Sequence, residues 1–144
     1  METPQNFANH TRWHPLFHFF LLPVMLINFI WAIVDFVKAP SPNAGWWIVV
    51  SVALVMLTFF ARTYALKVQD RLIRLEESLR YRQILSPGVI QKAAALTTSQ
   101  MIALRFAGDD ELEALIGQTL AGQFEKRKNI KQAIKNWRAD DFRV

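Results

Sequence analysis

The sequence predicts an all-α protein: a two-helix transmembrane hairpin, then an amphipathic stalk helix, then a small cytoplasmic helical tail. Three observations predict it. Residues 15–37 and 45–61 form two apolar runs with almost no charge, and a proline-containing turn separates them. Beyond residue 61, charge of both signs returns every few residues and apolar positions recur at helical spacing. The expected divisions are an interfacial lead (1–14), the hairpin (15–61), the stalk (62–86) and the tail (87–144).

The first run, PLFHFFLLPVMLINFIWAIVDFV, holds 23 residues and one carboxylate, Asp35, near its end. The second, GWWIVVSVALVMLTFFA, carries no charge. A bilayer core takes about 20 apolar residues per helical span, and every backbone N–H and C=O inside it must be satisfied within the segment. Helices meet that demand. Pro23 lacks an N–H and is expected to kink the first helix or end one of its turns. Asn28 falls near mid-depth, where an unpaired amide is costly, so it is expected to face Ser51 or Thr58 of the second span, or another subunit. The turn KAPSPNAG has ordinary turn chemistry. Trp13, Trp46 and Trp47 sit where interfacial aromatics belong.

Charge placement sets the expected topology. Of 17 Lys and Arg residues, Arg12 precedes the first span, Lys38 lies in the turn, and the rest follow Phe60. The positive-inside rule then puts both termini in the cytoplasm and the 38–44 turn outside. The first run is too long for a cleaved signal peptide, and a second span follows it. With no cysteine, disulfides, thiol nucleophiles and thiolate metal sites are excluded.

The stalk RTYALKVQDRLIRLEESLRYRQIL places Ala65, Val68, Leu72, Leu75 and Leu79 at 3-4-3-4 spacing, one apolar seam. The second span is expected to run into it unbroken. Ser86-Pro87 stops that helix and starts the next, with Ser at the N-cap and Pro at the first position. Thr97-x-x-Gln100 has capping-box form ahead of the apolar run MIALRF. Gly108 ends that run, and Asp110-x-x-Glu113 opens another helix. A last basic helix is expected over Phe124 to Arg138, with Ile130, Ile134 and Trp137 on one face. The alternation a strand requires is missing.

Few residues point to chemistry. His10, His14 and His18 fall at i, i+4 and i+8, a spacing that could chelate a metal or present an axial ligand to haem or chlorophyll. Pro15, however, disfavours a helical His14, and Glu2 is the only carboxylate near them. A ligand-free interfacial role is the simpler reading, so no cofactor or metal is expected. Asp35 lies three residues from Lys38, which predicts an interfacial ion pair, and no second deep acid completes a proton relay. Arg62, Lys67 and Arg71 (and Arg74) are placed to meet anionic lipid headgroups, the first two by snorkelling. The set Lys126, Arg127, Lys128, Lys131 and Lys135 fits headgroups or a solvated helix face equally well. Asp109, Asp110, Glu111 and Glu113 complement a helix N-terminus and lack the alternating ligands of a Ca²⁺ loop. LTTSQMIALRFAGDDELEALIG has the outline of the first helices of a helix-turn-helix, but no recognition helix follows, so no nucleic-acid partner is expected. No phosphate loop, Ser-His-Asp set or HExxH motif is present, and no catalytic residue or enzymatic activity is expected.

Three segments, QNFANHTRWHPLFHFFLLP, LTTSQMIALRFAGDDEL and IKQAIKNWRADDFRV, cover the opening, middle and end of the chain. Together they resemble a family of small bacterial two-span membrane proteins defined only as a domain of unknown function. The resemblance implies a protein of the bacterial inner membrane with a helical cytoplasmic tail, and it implies no activity. The expected role is therefore an accessory or scaffold subunit of a larger membrane complex, or a homo-oligomer. Its expected partners are membrane lipid and other membrane-protein subunits or further copies of itself, met through Val68, Leu72, Leu75 and Leu79. The alternatives are a cofactor-holding subunit built on the N-terminal histidines and a lipid-responsive membrane sensor.

Overall fold

Helix begins where the first apolar run does. In the computed structural model, which describes residues 4–11 and 13–140, a π-helical segment Leu16–Leu21 leads into helix α1, Leu22–Lys38. The Leu22 N–H reaches back to the Phe17 carbonyl, a five-residue span, and Pro23 falls in the first turn of α1. Pro23 thus sits at a change of helical register. Its missing donor relaxes the i→i−4 ladder just before it, and the wider π-turn absorbs the mismatch. Residues 39–41 interrupt the helix, and α2 then runs without interruption over Pro42–Ile84, 43 residues. Four short helices follow: α3 Pro87–Ala93, α4 Thr98–Leu104, α5 Asp109–Leu120 and α6 Arg127–Ala133. Among the described residues there is no strand, only an isolated antiparallel bridge between Ala107 and Trp137. The protein is all-helical.

The described residues fall into two compact units, 13–67 and 4–11 with 68–140. In the first, Asn28 Nδ2 donates to Ser51 Oγ at 2.9 Å, and Ser51 is almost completely buried. The other residues this unit buries are small or short: Ala32, Ala44 and Thr58. Small side chains let the two apolar helices approach closely. Thr58 Oγ1 satisfies itself on the Leu54 carbonyl. The large apolar side chains do the opposite and point outward, among them Phe19, Trp31, Trp46 and Leu57. Two helices, Leu16–Lys38 and Pro42–Ile84, are long and apolar enough to cross a membrane. Asp35 is exposed, and no ion pair joins it to Lys38 among the described residues. An i,i+3 pair at an exposed site gains too little to hold two side chains in one geometry.

The second unit has an ordinary packed core. Leu104, Phe106, Leu112 and Ile116 are fully buried, with Ile130, Leu115 and Met101 around them. Tyr81 and Leu85, from the last turns of α2, belong to the same cluster. The Thr97 hydroxyl accepts from the Gln100 N–H at 3.3 Å while Gln100 Oε1 accepts from the Thr97 N–H at 2.8 Å, a reciprocal cap on α4.

The C-terminal end departs from expectation. The basic helix expected over Phe124 to Arg138 is limited to Arg127–Ala133, and Ile134 is already extended. The cause is non-local. Glu111 accepts from the backbone N–H groups of Lys135 (3.1 Å) and Asn136 (2.9 Å), which replaces helical bonding there. Gly108 N–H donates to the Asn136 carbonyl and Arg138 N–H to the Phe106 carbonyl, both at 2.7 Å. A Cβ at Gly108 would lie 3.1 Å from that same Asn136 carbonyl, a tight contact that the close approach avoids by having glycine there. Asp109, Asp110 and Glu111 do occupy the first turn of α5, yet each also bonds a distant segment.

Candidate functional site

The stalk portion of α2 presents two faces of opposite character. Ile73, Glu77, Arg80 and Tyr81 are buried. Val68, Leu72, Leu75 and Leu79 remain 67%, 53%, 58% and 51% exposed. At 3.6 residues per turn the two rows lie roughly 155° apart around the helix axis. The chain's own tail therefore takes one side of the helix and leaves the seam uncovered. Single exposed leucines are ordinary on a protein surface, but four in a continuous helical row form a contiguous apolar stripe.

The buried face is held by charge. Arg80 Nη1 donates to Glu77 Oε2 at 3.1 Å, and its Nη2 donates to the Ala107 carbonyl at 2.7 Å. Arg80 Nε donates to Asp109 Oδ1 at 2.9 Å. Arg138 Nη1 completes the group on Glu77 Oε1 at 3.2 Å. Burial raises the Glu77 pKa above the ordinary glutamate value, against the opposing pull of Arg80 and Arg138. Beside it, burial and the Glu77 charge push the Tyr81 phenol upward, and its buried hydroxyl has no hydrogen-bond partner among the described residues. A separate pair, Arg105 Nε to Asp140 Oδ2 at 2.7 Å, ties the end of the described chain to α4.

This ionic face did not emerge from the sequence. Its signal is present: Ile73, Glu77, Arg80 and Tyr81 recur at helical spacing. The apolar row of Val68, Leu72, Leu75 and Leu79 on the same helix is the stronger signal.

The histidines are placed by different interactions. His10 Nδ1 lies 2.7 Å from the Phe7 carbonyl, and its ring packs near Phe106 (5.8 Å) and Trp137 (5.7 Å) in the tail unit. His14 and His18 belong to the other unit, where His18 Nδ1 sits 3.0 Å from the His14 carbonyl and Trp13 packs edge-on at 5.0 Å. Among the described residues no group of three or more His, Cys, Asp or Glu is arranged to hold a metal. Of the cations singled out for lipid, Arg62 lies over the Phe17 ring and Lys67 over Tyr64, each at 5.7 Å. Arg71 is exposed. In the tail unit a cleft of about 570 Å³ runs between Gln5 and Asn6 on one side and Lys135 and Asn136 on the other.

A family model described as a family of unknown function, DUF6526, matches residues 1–144. The chain belongs to DUF6526. The match spans the three segments that carried the resemblance. The DUF6526 description carries no activity with it. No curated protein and no solved structure matches the chain.

Proposed function

We propose that this chain is a non-enzymatic integral membrane protein of the bacterial inner membrane, an accessory or scaffold subunit that docks other membrane components through its stalk. In this reading α1 and the first part of α2 form a hairpin across the lipid. The lead and the tail then share the cytoplasmic side, as the placement of Arg12 and the post-Phe60 cations favours. Supporting the membrane assignment, the apolar surface of Leu16–Lys38 and of the start of α2 is left almost entirely uncovered by the chain itself. A soluble monomer rarely exposes apolar patches larger than a few hundred Å². Lipid removes that penalty. Arg62 and Lys67, just past the second apolar run, would reach the headgroups.

One observation carries the docking role: Val68, Leu72, Leu75 and Leu79 stay exposed on a helix whose opposite face is fully engaged. Replacing Leu72 and Leu75 together by aspartate puts two charges in the middle of that stripe without touching the buried face. The expected result is a smaller assembly on gentle detergent extraction, with the partner lost from the purified material and the tail still folded by circular dichroism. An unchanged assembly size would overturn the docking role.

A further inference from the structure

We infer that the stalk seam is closed by a second copy of this chain, in parallel and in register. This rests on the docking reading just given and names the partner. The spacing 68, 72, 75, 79 alternates four, three and four, which is the a/d repeat of a left-handed coiled coil. With Leu72 and Leu79 as a and Val68 and Leu75 as d, Arg71 falls at g and Glu76 at e. Both are exposed, and neither takes part in an ion pair within the chain among the described residues. They flank the seam on opposite sides, each roughly 70° from its centre.

That placement selects the partner. In a parallel in-register pair, the g residue of one helix meets the e residue five positions on in the other. Arg71 of one copy would then face Glu76 of its partner, and the reverse contact would form by symmetry. Opposite charge therefore stands at both edges of one apolar stripe. An antiparallel pairing brings g to g and e to e, setting Arg71 against Arg71 and Glu76 against Glu76. Copies anchored in one membrane with one topology present their stalks in the same direction, which is the arrangement the charges favour. The tail does not obstruct it, because Glu77, Arg80 and Tyr81 hold the tail on the far side. Arg82 at the next d position ends the seam after Leu79. Two heptads are short for a free coiled coil, and confinement to a membrane raises the effective concentration that a short seam needs.

The cysteine-free chain offers a clean test. In the full-length protein in its membrane, Leu75→Cys is expected to form an intermolecular disulfide under mild oxidation. Arg74→Cys, one residue along and turned away from the seam, is expected to form far less. Glu76→Arg alone should weaken dimerisation in detergent about tenfold, because two attractions become two repulsions. Adding Arg71→Glu to it should restore the dimer. Equal cross-linking at 74 and 75 overturns the inference, and so does a double swap that fails to restore pairing. Absence of the 75–75 link, together with a different protein retained through Leu72 and Leu75, overturns the second copy as partner and leaves the docking role intact. If instead the Leu72→Asp, Leu75→Asp chain matches the parent in assembly size, both readings fall.

Discussion

Arg80→Ala is expected to destabilise the tail unit by about 3–5 kcal/mol. The arginine is nearly buried and donates to Glu77, Asp109 and the Ala107 carbonyl at once. Its removal leaves Glu77, whose own side chain is 5% exposed, with the half-exposed Arg138 as its remaining ion-pair partner among the described residues. A buried carboxylate without its principal partner is among the most destabilising of single changes, whereas an exposed pair contributes about 1 kcal/mol or less. In a domain of this size the loss corresponds to a fall in Tm of at least about 10 °C. Thermal unfolding of the detergent-solubilised chain, followed by circular dichroism, measures it. Arg138→Ala is the control, and its effect should stay near the exposed-pair level. A comparable loss from both variants would mean that the group is not organised around Arg80.

Phe106→Ala is expected to remove a similar amount, about 3–5 kcal/mol, by opening a cavity in the same unit. Phe106 is fully buried. The Arg105 guanidinium lies 4.3 Å from its ring centroid, the Lys131 ammonium 5.0 Å and the Trp137 ring 5.2 Å. His10 approaches edge-on at 5.8 Å, so the ring joins the lead, α4, α6 and the C-terminal segment. Alanine removes the apolar contacts and both cation–π contacts together. Phe106→Leu keeps most of the volume and should lose less than about 1.5 kcal/mol beyond the cation–π share. Denaturant unfolding separates the two, and equal losses for leucine and alanine would show that the ring's charge contacts dominate over its packing.

Local chemistry was legible in the sequence, and distant chemistry was not. The apolar runs, the capping pair Thr97 and Gln100 and the Gly108 boundary all act within a few residues, and the helices follow them. Asn28, expected to face Ser51, Thr58 or another subunit, bonds Ser51. The failure at the last helix has the opposite character. Nothing between Phe124 and Arg138 announces that Glu111, more than twenty residues earlier, takes the N–H groups of Lys135 and Asn136. The same holds for Arg80 and Asp109, which meet across 29 residues. On the stalk, periodicity alone gives two competing rows. Only the folded tail decides which is covered, and it covers the ionic one.

Reporter fusions at the two ends of the chain test the central claim most directly, namely that Leu16–Lys38 and the first part of Pro42–Ile84 cross the lipid and return. Both reporters are predicted to be active on the cytoplasmic side of the inner membrane, with the chain recovered in the membrane fraction. Reporters on opposite sides, or a chain recovered in solution without detergent, would contradict the account.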